Sequence, residues 1–100
     1  MDFFAPYRDR IIALCKEYKV VRLSAFGSSI KGGMTAESDV DMLVDIALED
    51  PYEYTDNYFA LHDQLESLFK RPIDLLETRA LRNKYFIQDL NAHKVDLYAA

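Results

Sequence analysis

Asp39 and Asp41 are separated by one residue in the run Ser38-Asp39-Val40-Asp41-Met42-Leu43-Val44. Residues two apart on a β-strand project from one face with Cα atoms about 7 Å apart, so both carboxylates point the same way while Val40 and Met42 turn into a core. Like charges at that spacing repel unless a cation lies between them, and Mg²⁺ accepts oxygen ligands at about 2.0 to 2.1 Å. Asp74 lies between Ile73 and Leu75, again a carboxylate amid apolar neighbours, and is the candidate third ligand. Three carboxylates are about the minimum for holding two divalent ions roughly 3.5 to 4 Å apart, a device that activates an attacking oxygen and stabilises a leaving pyrophosphate. The chemistry implied is phosphoryl or nucleotidyl transfer.

A second candidate lies upstream, in Gly27-Ser28-Ser29-Ile30-Lys31-Gly32. A turn that follows a strand can aim backbone N–H groups and the Ser28 hydroxyl at phosphate oxygens, and Gly27 lets the backbone approach closely. Lys31 can neutralise a phosphate, although as a flexible point charge it orients less than an arginine fork. Ser38 suits either a local turn bond or nucleotide. The glycine spacing and the Lys-Ser/Thr ending of a Walker loop are absent.

These residues need elements to carry them. From Pro6 to Lys19, Tyr7, Ile11, Leu14, Cys15 and Tyr18 recur at helical spacing, and Pro6 suits a first turn. Val20 to Phe26 reads as a strand that Gly27 ends. Val40, Met42, Val44 and Ile46 alternate with Asp39, Asp41, Leu43 and Asp45, giving a strand with an apolar face and a mostly acidic one. After the polar, tyrosine-rich stretch 51–57, Tyr54, Tyr58, Leu61, Leu65 and Leu68 keep a 3.6 period to about Phe69, and Pro72 bars continuation. Ile73 to Leu76 predicts a short strand, Leu81 to Asn91 a weaker helix and Val95 to Tyr98 a closing strand. The order implies an α+β fold, α/β-like, with helices packed on a small mixed sheet.

The chain has 100 residues, half of them hydrophobic and 29% charged, which is the size and balance of a single domain spanning 1–100. The start lacks a basic secretory leader, no run is long enough to span a membrane, and a lone cysteine, Cys15, cannot form an internal disulfide. A cytoplasmic location is expected. Seventeen acidic against twelve basic residues leave a net charge of −5, which disfavours nucleic acid as a partner. An acidic chain still binds a phosphorylated small molecule when its carboxylates hold divalent cations.

Together, Gly27-Ser28, Lys31-Gly32, Ser38-Asp39-Val40-Asp41 and the later Arg71-Pro72-Ile73-Asp74-Leu75-Leu76 resemble the nucleotidyltransferase signature of the polymerase-β superfamily. In length and layout the chain is similar to the minimal nucleotidyltransferases, the MntA-like antitoxins paired with HEPN-domain toxins, over about residues 8 to 98. The resemblance implies a polymerase-β-type fold and transfer of AMP from Mg²⁺·ATP to a partner hydroxyl, typically a tyrosine of the toxin, within a hetero-oligomer. It further implies that Asp39 and Asp41 bind two Mg²⁺ ions, that Asp74 binds the catalytic metal and helps deprotonate the acceptor, and that Gly27 and Ser28 hold the triphosphate. Lys31 stands where the family usually has a basic residue. Larger members carry an acceptor-gripping domain that this sequence does not show, so the acceptor is expected from another molecule.

Blander readings stand beside these. The three aspartates are individually compatible with a solvated sheet edge, and the glycines with an ordinary turn. His62 and His93 lack matching ligand spacing and read as structural or solvent-facing, while Cys15 reads as inert core. Tyr52, Tyr54 and Tyr58 read first as packing residues, or as a partner interface where exposed. Asp45 and Glu77 are near the carboxylates in sequence. The competing function is a catalytically silent antitoxin, a binding module that neutralises its partner by steric capture.

Overall fold

In the computed structural model, which describes residues 3–27, 30 and 39–100, a 3-10 turn, Ala5–Tyr7, runs into helix α1, Arg8–Glu17. The expected helix from Pro6 thus begins as a tighter turn. No side chain caps either start, and Pro6 has no amide hydrogen to donate. Ile11 and Cys15 face inward. Burial pushes the Cys15 thiol up to about 12, so it stays protonated and inert at neutral pH. Lys19, at φ 60°, turns the chain into strand β1, Val20–Phe26.

Strand β2 is Val40–Ile46 and helix α2 is Pro51–Phe69. Helix α2 starts earlier than its apolar period implies because Asp50 caps it. The Asp50 carboxylate accepts from the N–H groups of Tyr52 and Glu53 at 2.9 and 3.1 Å, and Pro51 suits the first helical position. Lys70 ends it in the left-handed conformation, φ 56°. Strand β3, Ile73–Glu77, a second 3-10 turn, Thr78–Ala80, helix α3, Lys84–His93, and strand β4, Val95–Ala99, complete the order. Asn83 caps α3 as Asp50 caps α2, which moves that helix about three residues beyond its expected start.

The sheet is mixed, in the order β3-β2-β1-β4. Strands β1 and β2 run antiparallel, as do β1 and β4, whereas β2 and β3 run parallel. The parallel pair is possible because α2 supplies the long crossover between them. One sheet face carries the main core. Val40, Met42, Val44 and Ile46 of β2 and Ile73 and Leu75 of β3 pack there with Ile11 and Cys15 of α1 and Leu61, Leu65 and Phe69 of α2. A bulge between Val20 and Arg22 shifts the alternation of β1, so that Val20, Leu23 and Ala25 all reach this core despite their odd spacing.

The opposite face holds the acidic side chains of β2 and is covered in part by α3. Leu43, the apolar interruption in that acidic face, is buried there and lines a cavity of about 120 Å³ with Leu81, Ile87 and Leu90. Phe86 of α3 meets Phe26 at the end of β1 edge to face, with centroids 6.5 Å apart. Beside it, Ser24 is fully buried and donates to Asp96 of β4 at 2.6 Å. No described helix is long and apolar enough to cross a membrane.

Candidate active site

Alternation on β2 sends Asp41 away from the main core, and Asp39 stands just ahead of the strand, two residues upstream. The parallel pairing then decides which residue of β3 becomes its neighbour. Val40 is opposite Ile73, Asp41 opposite Asp74 and Met42 opposite Leu75, and the pairing is extended by Val40 N–H donating to the Pro72 carbonyl at 3.0 Å. Adjacent strands lie about 4.8 Å apart, so Asp41 and Asp74 project side by side from one face. Asp41 is half-buried, while Asp39 and Asp74 are exposed.

The electrostatics register this crowding. Burial first, then Asp74, then Asp39, raises the Asp41 carboxyl above its ordinary 3.8. On the other side of Asp41 lies the end of β1. Phe26 is its antiparallel partner, and the next residue, Gly27, sits at φ 72°. A Cβ built on Gly27 would run into Asp41 Oδ2 and approach Asp41 Cγ to 3.4 Å. Only glycine satisfies both the left-handed backbone and the space that the carboxylate occupies. Ile30 N–H donates back to the Gly27 carbonyl at 3.2 Å.

Asp39, Asp41, Asp74 and Gly27 are therefore brought together by three strands distant in sequence. Ser28, Lys31 and Ser38 lie outside the described residues. Asp45 and Glu77 sit elsewhere. They occupy the C-terminal ends of β2 and β3, where both raise the Tyr54 hydroxyl, after burial as the largest cause, and the Arg79 guanidinium lies 4.1 Å over the Tyr54 ring. Arg79 also donates to the Ile46 and Leu48 carbonyls, and Thr78 to that of Val44, which ties down that end of the sheet.

The donor set suits a hard divalent cation. Carboxylate oxygens are its preferred ligands, and a cation between Asp39, Asp41 and Asp74 would offset the repulsion and burial that now push Asp41 toward its protonated form. Tyr58 and His62, which the sequence reads as packing and structural residues, join Glu66, which it did not single out, in hydrogen-bonding the outer edge of β3 beside Asp74. Their spacing of four on one helix was the available signal.

A mixed sheet with paired aspartates on one strand, a third on the parallel neighbour and a glycine turn against them is the framework of a nucleotidyltransferase domain. Residues 9–97 match the family model of the nucleotidyltransferase domain, and this chain belongs to that family. Two Methanocaldococcus jannaschii proteins, named as inferred protein adenylyltransferases, are 33% identical over 69% of this chain and 68% of their own length, and 35% identical over 72% and 70%. Among solved structures, a protein named as an inferred minimal nucleotidyltransferase is 25% identical with a TM-score of 0.76 over 95% of each chain. A toxin–antitoxin structure with AMP-PNP shares the fold at 23% identity and TM-score 0.70, over 93% of this chain and 73% of that one. So does a complex of a tri-AMPylated Shewanella oneidensis HEPN toxin with its MNT antitoxin, at 20% identity and TM-score 0.62, over 95% and 71%.

Proposed function

We propose that this nucleotidyltransferase is a cytoplasmic MntA-like antitoxin that moves AMP from ATP to a tyrosine hydroxyl of a HEPN-type toxin and thereby neutralises it. The observation that carries the reading is the juxtaposition of Asp41 and Asp74 beside Gly27. The adenylyltransferase relatives and the similar fold of an antitoxin bound to a tri-AMPylated toxin support the acceptor class.

In this reading Asp39, Asp41 and Asp74 would hold Mg²⁺, two ions in all, which when bound supply charge neutralisation for the triphosphate and for the departing pyrophosphate. Gly27, with Ser28, Lys31 and Ser38, receives the triphosphate. The acceptor oxygen attacks the α-phosphorus, the bond from that phosphorus to the bridging oxygen breaks, and pyrophosphate leaves with that electron pair. Asp74, at the exposed rim, takes the hydroxyl proton as the new ester bond forms.

The alternative, capture without turnover, draws on exposed apolar side chains such as Tyr52, Phe59 and Tyr85, which suit a partner contact. One experiment separates the two. The chain is incubated with Mg²⁺·ATP and the candidate toxin, and the toxin is weighed by mass spectrometry. An added AMP on a toxin tyrosine is expected, abolished by Asp41→Asn with the fold kept. A tight complex without modification, or transfer by Asp41→Asn equal to wild type, would overturn the enzymatic reading.

A further inference from the structure

Strand β3 is an edge strand, so the backbone groups it does not give to β2 face outward. Three side chains spaced four apart on α2 meet them. Tyr58 Oη donates to the Leu75 carbonyl, His62 Nε2 lies 3.0 Å from the Ile73 carbonyl, and Glu66 Oε2 accepts from Ile73 N–H at 3.0 Å. A carbonyl only accepts, so Nε2 donates the hydrogen of that bond. The residue between these anchors is Asp74. Ile73 is held on both its N–H and its carbonyl, and Leu75 on its carbonyl, while Asp74 is exposed and has no core packing of its own.

Asp41 and Asp74 stand opposite each other in the parallel pair, and like charges directly opposite on neighbouring strands are destabilising. A short edge strand of five residues has few ladder bonds with which to resist. We infer that Tyr58, His62 and Glu66 form a positioning ridge that fixes β3 against this repulsion and holds the Asp74 carboxylate beside Asp41. The inference rests on the proposed role of the aspartates. Residues that orient a metal ligand in this indirect way typically change metal affinity or activity by about 10- to 100-fold when removed. The ridge differs from the buried stripe of the same helix, Tyr54, Leu61, Leu65 and Phe69, which joins the main core with Ile73 and Leu75 of β3.

A competing role exists for two of the three. His62, Asp63 and Glu66 each have a ligand-type atom within 4.8 Å of the others, a spacing that suits a metal. The inward atoms of His62 and Glu66 already serve Ile73. Tyr58 has no part in that trio, so it discriminates between the roles.

The test uses the full chain with Mn²⁺ as probe, its binding followed by electron paramagnetic resonance. It adds kcat and KM for ATP, and amide exchange across residues 73–77. Expected for His62→Ala are roughly tenfold weaker Mn²⁺ binding, a comparable fall in kcat, KM for ATP within about twofold, and faster exchange in β3. Tyr58→Phe should move the same quantities in the same direction by less. His62→Gln, which can donate to the Ile73 carbonyl, should recover most of the loss. Should His62→Ala not fold, Tyr58→Phe, a change of one hydroxyl, decides.

Wild-type Mn²⁺ affinity, kcat and exchange in both Tyr58→Phe and His62→Ala would overturn the ridge alone. So would Mn²⁺ that stays on Asp41→Asn and is released by adding His62→Ala, since the helical trio would then be the metal site. A wild-type chain that neither binds Mn²⁺ nor transfers AMP would instead overturn the functional reading on which the ridge depends.

Discussion

Asp41 is where burial, charge and backbone geometry meet. Folding raises its carboxyl pKa, so the folded chain holds that proton more tightly than the unfolded chain does. The resulting contribution to stability is full at low pH and is lost as pH rises through the raised value. Asparagine is neutral at every pH, so metal-free Asp41→Asn should melt above wild type at pH 7. The difference should close as pH falls toward 3.8, a comparison that thermal melts in EDTA read directly. Gly27 is the complementary case. An alanine there takes on a left-handed backbone costing about 1–2 kcal/mol and drives its Cβ into the Asp41 carboxylate. Gly27→Ala should lower Tm by about 5–15 °C and, through the displaced carboxylate, cut transfer by about 100-fold, measured by melting and by AMP incorporation.

Helix α2 combines three tasks along one cylinder: a capped start at Asp50, a buried stripe against the sheet, and the polar ridge against β3. The cap can be separated from the others because it lies two turns before Tyr58. Asp50→Ala leaves the N–H groups of Tyr52 and Glu53 without their acceptor, which costs about 1 kcal/mol and should lower Tm by about 4–8 °C. kcat should be unchanged, since the register of Asp74 against Asp41 does not pass through the cap. At the β3 edge of the sheet the helix itself supplies hydrogen-bond partners to the outward backbone groups.

Taken as a molecule, a chain of net charge −5 that gathers carboxylates on one sheet face gains from a cation that binds the folded state only. At a hundredfold excess over Kd, such a ligand stabilises by about 2.7 kcal/mol. Mg²⁺ titration should therefore raise the wild-type Tm, EDTA should reverse the rise, and Asp41→Asn should show almost none. Wild type and variant would then exchange rank between EDTA and excess Mg²⁺. The same negative charge disfavours non-specific nucleic-acid binding, which makes proteins the first acceptors to test.

Local periodicity decided much of this in advance. Alternation of Val40, Met42, Val44 and Ile46 with acids, the 3.6 period of α2 and the stop at Pro72 follow from side-chain spacing within a few residues of chain. That information shows which face a side chain takes and says nothing about its neighbour across the sheet. Helix starts drifted wherever a cap, Asp50 or Asn83, acted outside the apolar period. The bulge that returns Val20 to the core, the burial of Leu43 under α3 and the Asp41–Asp74 register are consequences of contacts between segments far apart in the chain. Likewise, Tyr58, His62 and Glu66 acquire a purpose only because β3 became an edge strand. Strand order is a non-local free-energy balance over the whole chain, and no short window of residues contains it.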